Sequence, residues 1–211
     1  MTLFRNIRIN LFIFGLPFLM VLFSCNNDGS GSLDEDLDNI NLTTEDNAAL
    51  LFMLEEEKLA RDTYTFLGDL WNNNQFSNIK KSEQSHMNAV ISLLDQYDIS
   101  YTILPYGEFN DPVIQDLYDG FINHGSASST NALEVGANIE DLDIVDLAKY
   151  IDATTNSAII NVFESLQCGS RNHLRSFVSA IELSGNTYDP QFITQEDYSL
   201  IINDSQEQCG R

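Results

Sequence analysis

Positive charge is scarce in this chain: 10 lysines and arginines stand against 32 aspartates and glutamates, for a formal net charge of −22. So acidic a surface repels phosphate backbones and anionic headgroups, which excludes nucleic acid as a partner. Cysteine is sparse too, with three in 211 residues, and the spacing of Cys25, Cys168 and Cys209 matches no zinc knuckle. Long apolar runs are missing. The longest, residues 11–23, covers about 13 positions with Gly15 and Pro17 inside it, well short of a bilayer-spanning helix. Nowhere is strand-type alternation sustained, and no nucleophile elbow, phosphate loop or secreted-protease motif is found.

The short apolar run has a different use. Arg5 and Arg8 precede it, and it ends in Leu22-Phe23-Ser24-Cys25 before turning polar at Asn26-Asn27-Asp28. This is the pattern of an export signal closed by a lipobox, where lipid is attached to the cysteine and the chain is cut just ahead of it. The expected organisation is therefore a signal peptide over 1–24, a lipidated Cys25 with a flexible stalk over 25–41, and one folded domain over 42–211. Cleavage removes Arg5 and Arg8 and no acidic residue, so −22 becomes −24 in the mature chain. Acyl chains on Cys25 would tether the domain to a membrane in the cell envelope, with the outer membrane the first choice. Cys168 and Cys209 then remain, and two readings stand: a disulfide pinning the C-terminal tail to a helix, or a free, buried Cys168.

Helical periodicity recurs four times, over about residues 44–71, 77–97, 130–151 and 157–183. Thr43 or Thr44 can cap the first helix, and Gly185-Asn186 stop the fourth. A long connection, 98–129, contains a short helix over 111–123 with Asn110 placed to cap it and Pro112 in its first turn. Another short helix is expected over 194–203. The fold class is all-α: a four-helix bundle with a long crossover between the second and third long helices, and short accessory helices.

Polar residues interrupt each inward stripe. Glu57 shares a face with Leu50, Met53, Leu54, Ala60 and Tyr64; Glu83 and His86 lie between Ile79 and Val90. Glu140 is in line with Leu133, Ala137, Ile144 and Leu147, and His173 with Leu166, Ser170, Phe177 and Ala180. Three carboxylates in one core need compensation, because each unpaired one costs several kcal/mol. A pair of divalent cations supplies it, and mixed oxygen and imidazole donors suit iron or manganese. Glu56 also has apolar neighbours, Phe52 and Leu59, so the first-helix register has a one-residue alternative.

The run Glu57-Lys58-Leu59-Ala60-Arg61-Asp62-Thr63-Tyr64, followed by Glu83-x-x-His86, resembles the ferritin-like superfamily, especially its rubrerythrin-type members. More closely, residues 48–202 look like an uncharacterised bacterial family, domain of unknown function 2202. That likeness is carried by Glu55 through Asp62, Ser82-Glu83-Gln84-Ser85-His86-Met87 and Gly169-Ser170-Arg171-Asn172-His173-Leu174. The superfamily resemblance implies a bundle with a carboxylate-bridged di-iron or related dimetal centre. Its ligands would be Glu57, Glu83 with His86, Glu140 and His173. The sequence departs at Ser170, where the superfamily usually has Glu. Asp143, three residues after Glu140, is a candidate additional ligand; without it the centre would be mononuclear, asymmetric or weak. Arg171 and Arg175 would orient carboxylates beside the centre or form surface salt bridges. Tyr64 would be core or a hydrogen-bond donor to a ligand, and His124 would serve a helix C-terminus outside the site.

Two function classes follow. One is an envelope-anchored metal-binding protein, a di-iron or dimetal oxidoreductase acting on O2, peroxide or iron(II). The other is a metal-free helical interaction module held at the membrane by its lipid.

Overall fold

The computed structural model describes residues 42–210. The expected signal peptide over 1–24 and the expected lipidation at Cys25 with its stalk over 25–41 lie outside the described residues. Six helices and no strands occur among the described residues: α1 Thr44–Trp71, α2 Asn74–Gln96, α3 Pro112–Gly125, α4 Ser129–Ala153, α5 Ser157–Leu183 and α6 Gln195–Asn203. None is long and apolar enough to cross a membrane.

The four long helices form two hairpins. Thr43 opens α1 with a reciprocal capping box to Asp46. Asn72 closes it in the left-handed conformation, at φ 48°, and Asn73 immediately caps α2. That two-residue link forces the two helices antiparallel. The second hairpin is α4 with α5, joined through Asn156, whose side chain accepts from the amides of Ala158 and Ile159. The hairpins meet along α1 with α4 and α2 with α5.

The helix ends refine the sequence expectations. α2 begins at Asn74, three residues ahead of the expected start at Ser77, because the Asn73 carboxamide caps it by reaching the Gln75 amide. Asp111, not Asn110, caps α3, and the helix continues to Gly125. Asn110 is occupied elsewhere: its amide and its carboxamide both donate to Glu55.

That contact is part of a larger anchor. Glu55, Lys58 and Asp62 lie on one face of α1 at spacings of three and four, and all three are buried. Lys58 Nζ donates to Asp62 (2.7 Å) and to the carbonyls of Pro105 (3.0 Å) and Glu108 (2.9 Å), and sits 4.1 Å from the centre of the Phe109 ring. Asp62 also accepts from the Gly107 amide. This part of the Glu-Glu-Glu-Lys-Leu-Ala-Arg-Asp run therefore holds the crossover.

Cys168 and Cys209 form a disulfide, with Cα atoms 5.6 Å apart, so the free-thiol reading of Cys168 falls away. The bridge pins the tail to α5, and Glu207 adds to it by accepting from Arg171 and Arg175. Arg175 further donates to the Ile201 carbonyl. Of the two roles expected for these arginines, the structure assigns salt bridges to the tail. Hydrogen bonding from Arg171, then Arg175, outweighs partial burial and holds the Glu207 carboxyl down at about 2. Its stabilisation is thus fully present above the unfolded carboxyl range, about 4.3, and is lost as pH falls toward 2. Glu207→Gln is expected to lower the melting temperature by about 1–3 °C at pH 7. That gap from wild type should close between about pH 4.5 and 2, as followed by thermal melts across that window.

Candidate metal centre

Two apolar clusters fill the bundle, and a smaller one around Leu59, Phe109, Ile114 and Tyr118 lies under the crossover. Of the two, one holds Tyr64, Phe76, Ile79, Val135, Leu174 and Phe177; the other holds Leu50, Met53, Met87, Val90, Leu147 and Phe163. Between them, each long helix contributes to a polar layer: Glu57 from α1, Glu83 and His86 from α2, Glu140 and Asp143 from α4, Ser170 and His173 from α5. The four carboxylate residues Glu57, Glu83, Glu140 and Asp143 are 2–6% exposed.

Glu83 is at the centre. Its Oε2 lies 2.9 Å from His86 Nδ1 and its Oε1 2.9 Å from His173 Nδ1. Glu57 approaches His86 Nδ1 at 3.2 Å, and Glu140 approaches His173 Nδ1 at 3.4 Å. The two imidazoles stack with centroids 5.8 Å apart. Two triads result, Glu57–Glu83–His86 and Glu83–Glu140–His173, each with donor atoms within 4.8 Å of one another and each able to hold a metal ion. All five residues expected as ligands are brought together.

Several of these close approaches are not hydrogen bonds. Glu83 Oε1 and His173 Nδ1 have no hydrogen-bond partner despite their 2.9 Å separation, and Glu57 Oε1 has none either. Donor and acceptor are misaligned for a hydrogen bond, while the potential ligand atoms of each triad gather within 4.8 Å. Buried carboxylate and imidazole atoms left without a hydrogen bond match the donor types that a first-row dication takes.

Charge in the metal-free protein is shared unevenly. Burial would raise the Glu83 carboxyl, but attraction to His173 and His86 outweighs it and holds the group well below its usual range. Burial likewise opposes protonation of both histidines, yet Glu57 and Glu83 raise His86, and Glu83 and Glu140 raise His173, well above the ordinary imidazole value. Glu57 goes the other way, pushed up to about 8 by burial in spite of His86.

Around the triads, Tyr64 fills both roles foreseen for it, as a buried core residue and as a hydrogen-bond donor. Its hydroxyl donates to Glu140 Oε1 at 2.5 Å, leaving Oε2 turned toward His173. Ser170 hydrogen-bonds to Asp143 Oδ2, while Asp143 Oδ1 has no partner. Asp143 thus lies on the inner face beside the triads but belongs to neither. His124 is remote and exposed, 3.4 Å from Glu134.

Two contributors escaped the sequence reading. Glu56, weighed only as an alternative register, is buried together with Glu57. Gly169 makes room for a ligand: a Cβ there would fall 2.7 Å from His86 Cε1 and 2.8 Å from Nε2. A glycine inside a helix costs roughly 1 kcal/mol relative to alanine, which was the available signal.

An all-α chain with two buried carboxylate–histidine triads sharing one glutamate is the class this geometry defines. Residues 46–205 match the family described as "Uncharacterized protein domain (DUF2202)", and the chain belongs to it. It is similar to "Uncharacterized protein MJ0754" of Methanocaldococcus jannaschii, 45% identical over 168 residues, covering 79% of this chain and 91% of that one. The crystal structure of that hypothetical protein superposes with a TM-score of 0.79 at 44% identity, over 81% of this chain and 99% of the other.

Gly169→Ala should drive the His86 ring away from Glu57 and Glu83. Only three histidines need assignment in an NMR titration. His86 is expected to titrate closer to the ordinary imidazole range, about 6.5, while His173 stays high. An unmoved His86 would mean that the ring does not depend on this gap.

Proposed function

We propose that the protein is a ferritin-like metal-binding protein of the bacterial cell envelope, with a dinuclear iron or manganese centre that serves as an oxidoreductase site for O2, peroxide or iron(II). The observation that carries it is the division of Glu83, one oxygen to each of two histidines on different helices, at 2.9 Å each. The donor pattern supports the ferritin-like assignment: single glutamates on α1 and α4, with a Glu-x-x-His pair on α2 and its partial counterpart, Ser170-x-x-His173, on α5.

Glu57, Glu83 and His86 would hold one ion, and Glu83, Glu140 and His173 the other, with Asp143 in reserve as an additional ligand. Such ions, when bound, supply open positions for small oxidants and one-electron chemistry. The chain supplies the rest. Tyr64 fixes the rotation of Glu140, Gly169 seats His86, and the two apolar half-cores keep bulk water from the carboxylates. Supporting the address is the sequence Leu22-Phe23-Ser24-Cys25 after a short apolar run, which would place lipid on Cys25 and the domain at a membrane, the outer one as first choice.

Elemental analysis of the purified full chain after anaerobic iron(II) or manganese(II) loading tests this. About two ions per chain are expected, with Glu83→Gln removing both and His86→Ala removing one. A folded wild-type protein that takes up no metal would leave the lipid-tethered interaction module as the better account. Loading also has a proton signature. Because the neighbouring carboxylates raise both imidazoles well above their ordinary range, metal ions would compete with protons for them. Addition of manganese(II) in weak buffer should therefore acidify the solution, and apparent affinity should weaken roughly tenfold or more per unit fall in pH.

A further inference from the structure

Structural carboxylates in this fold are consistently satisfied. Glu55 accepts from the amides of Asn110 and Asp111, Asp62 from Lys58 and the Gly107 amide, and Asp141 from the amides of Gln191, Phe192 and Ile193. Glu56 breaks that rule. It is 2% exposed, and neither of its oxygens has a hydrogen-bond partner.

Its neighbours are acidic as well. The charges acting on Glu56 are those of Asp143, Asp146 and Lys149, all on α4. Asp143 carries a second buried oxygen without a partner, Oδ1, and is in turn acted on by Glu57, Glu140 and Glu83. Asp146, one helical turn beyond Asp143, has a side chain 17% exposed and lies 3.7 Å from Lys149, whose own side chain is 64% exposed. Electrostatic contact thus links Asp146 to Glu56, Glu56 to Asp143, and Asp143 to the carboxylates of the triads.

We propose that Glu56 and Asp143 form a transfer site for divalent cations, through which an ion passes from Asp146 to the Glu83-bridged centre. The inference rests on the dinuclear reading of that centre. A hydrated dication cannot enter an apolar seam unless other oxygens replace its water, and hard cations accept carboxylate oxygens as replacements. Three unpartnered oxygens, two on Glu56 and one on Asp143, provide that exchange between the surface and the triads. Lys149, paired with Asp146 at 3.7 Å through a side chain 64% exposed, would have to swing aside for the entering ion.

Stopped-flow loading of the full chain with cobalt(II), followed by the ion's absorption, tests the route. Glu56→Gln keeps shape and removes charge. It is expected to reach the wild-type end point of two ions per chain, but about tenfold or more slowly. Asp146→Asn, near the surface and safe for folding, should also slow loading, by a smaller factor. Loading of both variants at the wild-type rate overturns the proposal. So does a Glu56→Gln end point one ion short of wild type, which would make Glu56 a resident ligand. Failure of the wild-type chain to bind cobalt(II) at all would show before any variant is compared, and would remove the dinuclear centre itself.

Discussion

Glu83 sits between His86 and His173 and gives each of them one oxygen, and the burial of Glu57 and Glu140 beside the same rings follows from that arrangement. A lone carboxylate at 2% exposure would cost several kcal/mol. Two imidazoles, one from its own helix and one from α5, stabilise its charged form. Glu57 and Glu140 then meet the same two rings from α1 and α4. Four helices are thereby tied at one level, with an apolar half-core on each side to fix their separation.

The surroundings give that layer its precision. Lys58 and Asp62 bind the crossover and so hold α1, which carries Glu57 on a neighbouring face. Tyr64 commits one oxygen of Glu140, and Ser170 commits one of Asp143. Gly136 lets Phe177 lie against α4, since a Cβ there would meet the ring at 2.4 Å. Each of these contacts joins different helices or residues far apart in the chain. The layer is thus positioned by the bundle as a whole.

Much of this was legible in the residue pattern. Apolar positions at spacings of three, four and seven gave the four long helices, and the same stripes marked Glu57, Glu83, His86, Glu140 and His173 as the polar exceptions. Helix starts were less certain where two capping residues stand side by side. Asn110 and Asp111 can each cap α3, and Glu55, which decides between them, is distant in sequence. The pairing of Cys168 with Cys209 needed coordinates, because spacing alone carries no Cα separation. Glu56 and Glu57 are 100° apart on a helix, so a stripe argument must choose one; the structure buries both, since α4 packs where solvent was the alternative. The anchoring role of Lys58 was hidden for a related reason, as a lysine in a charged run ordinarily faces water.

The most direct test of a Glu83-bridged centre is anomalous diffraction from a crystal of the protein soaked in manganese(II) or iron(II). A dinuclear centre gives two peaks about 3.5–4 Å apart, one among Glu57, Glu83 and His86 and the other among Glu83, Glu140 and His173. A well-ordered soaked crystal with no anomalous density beside Glu83 would contradict it.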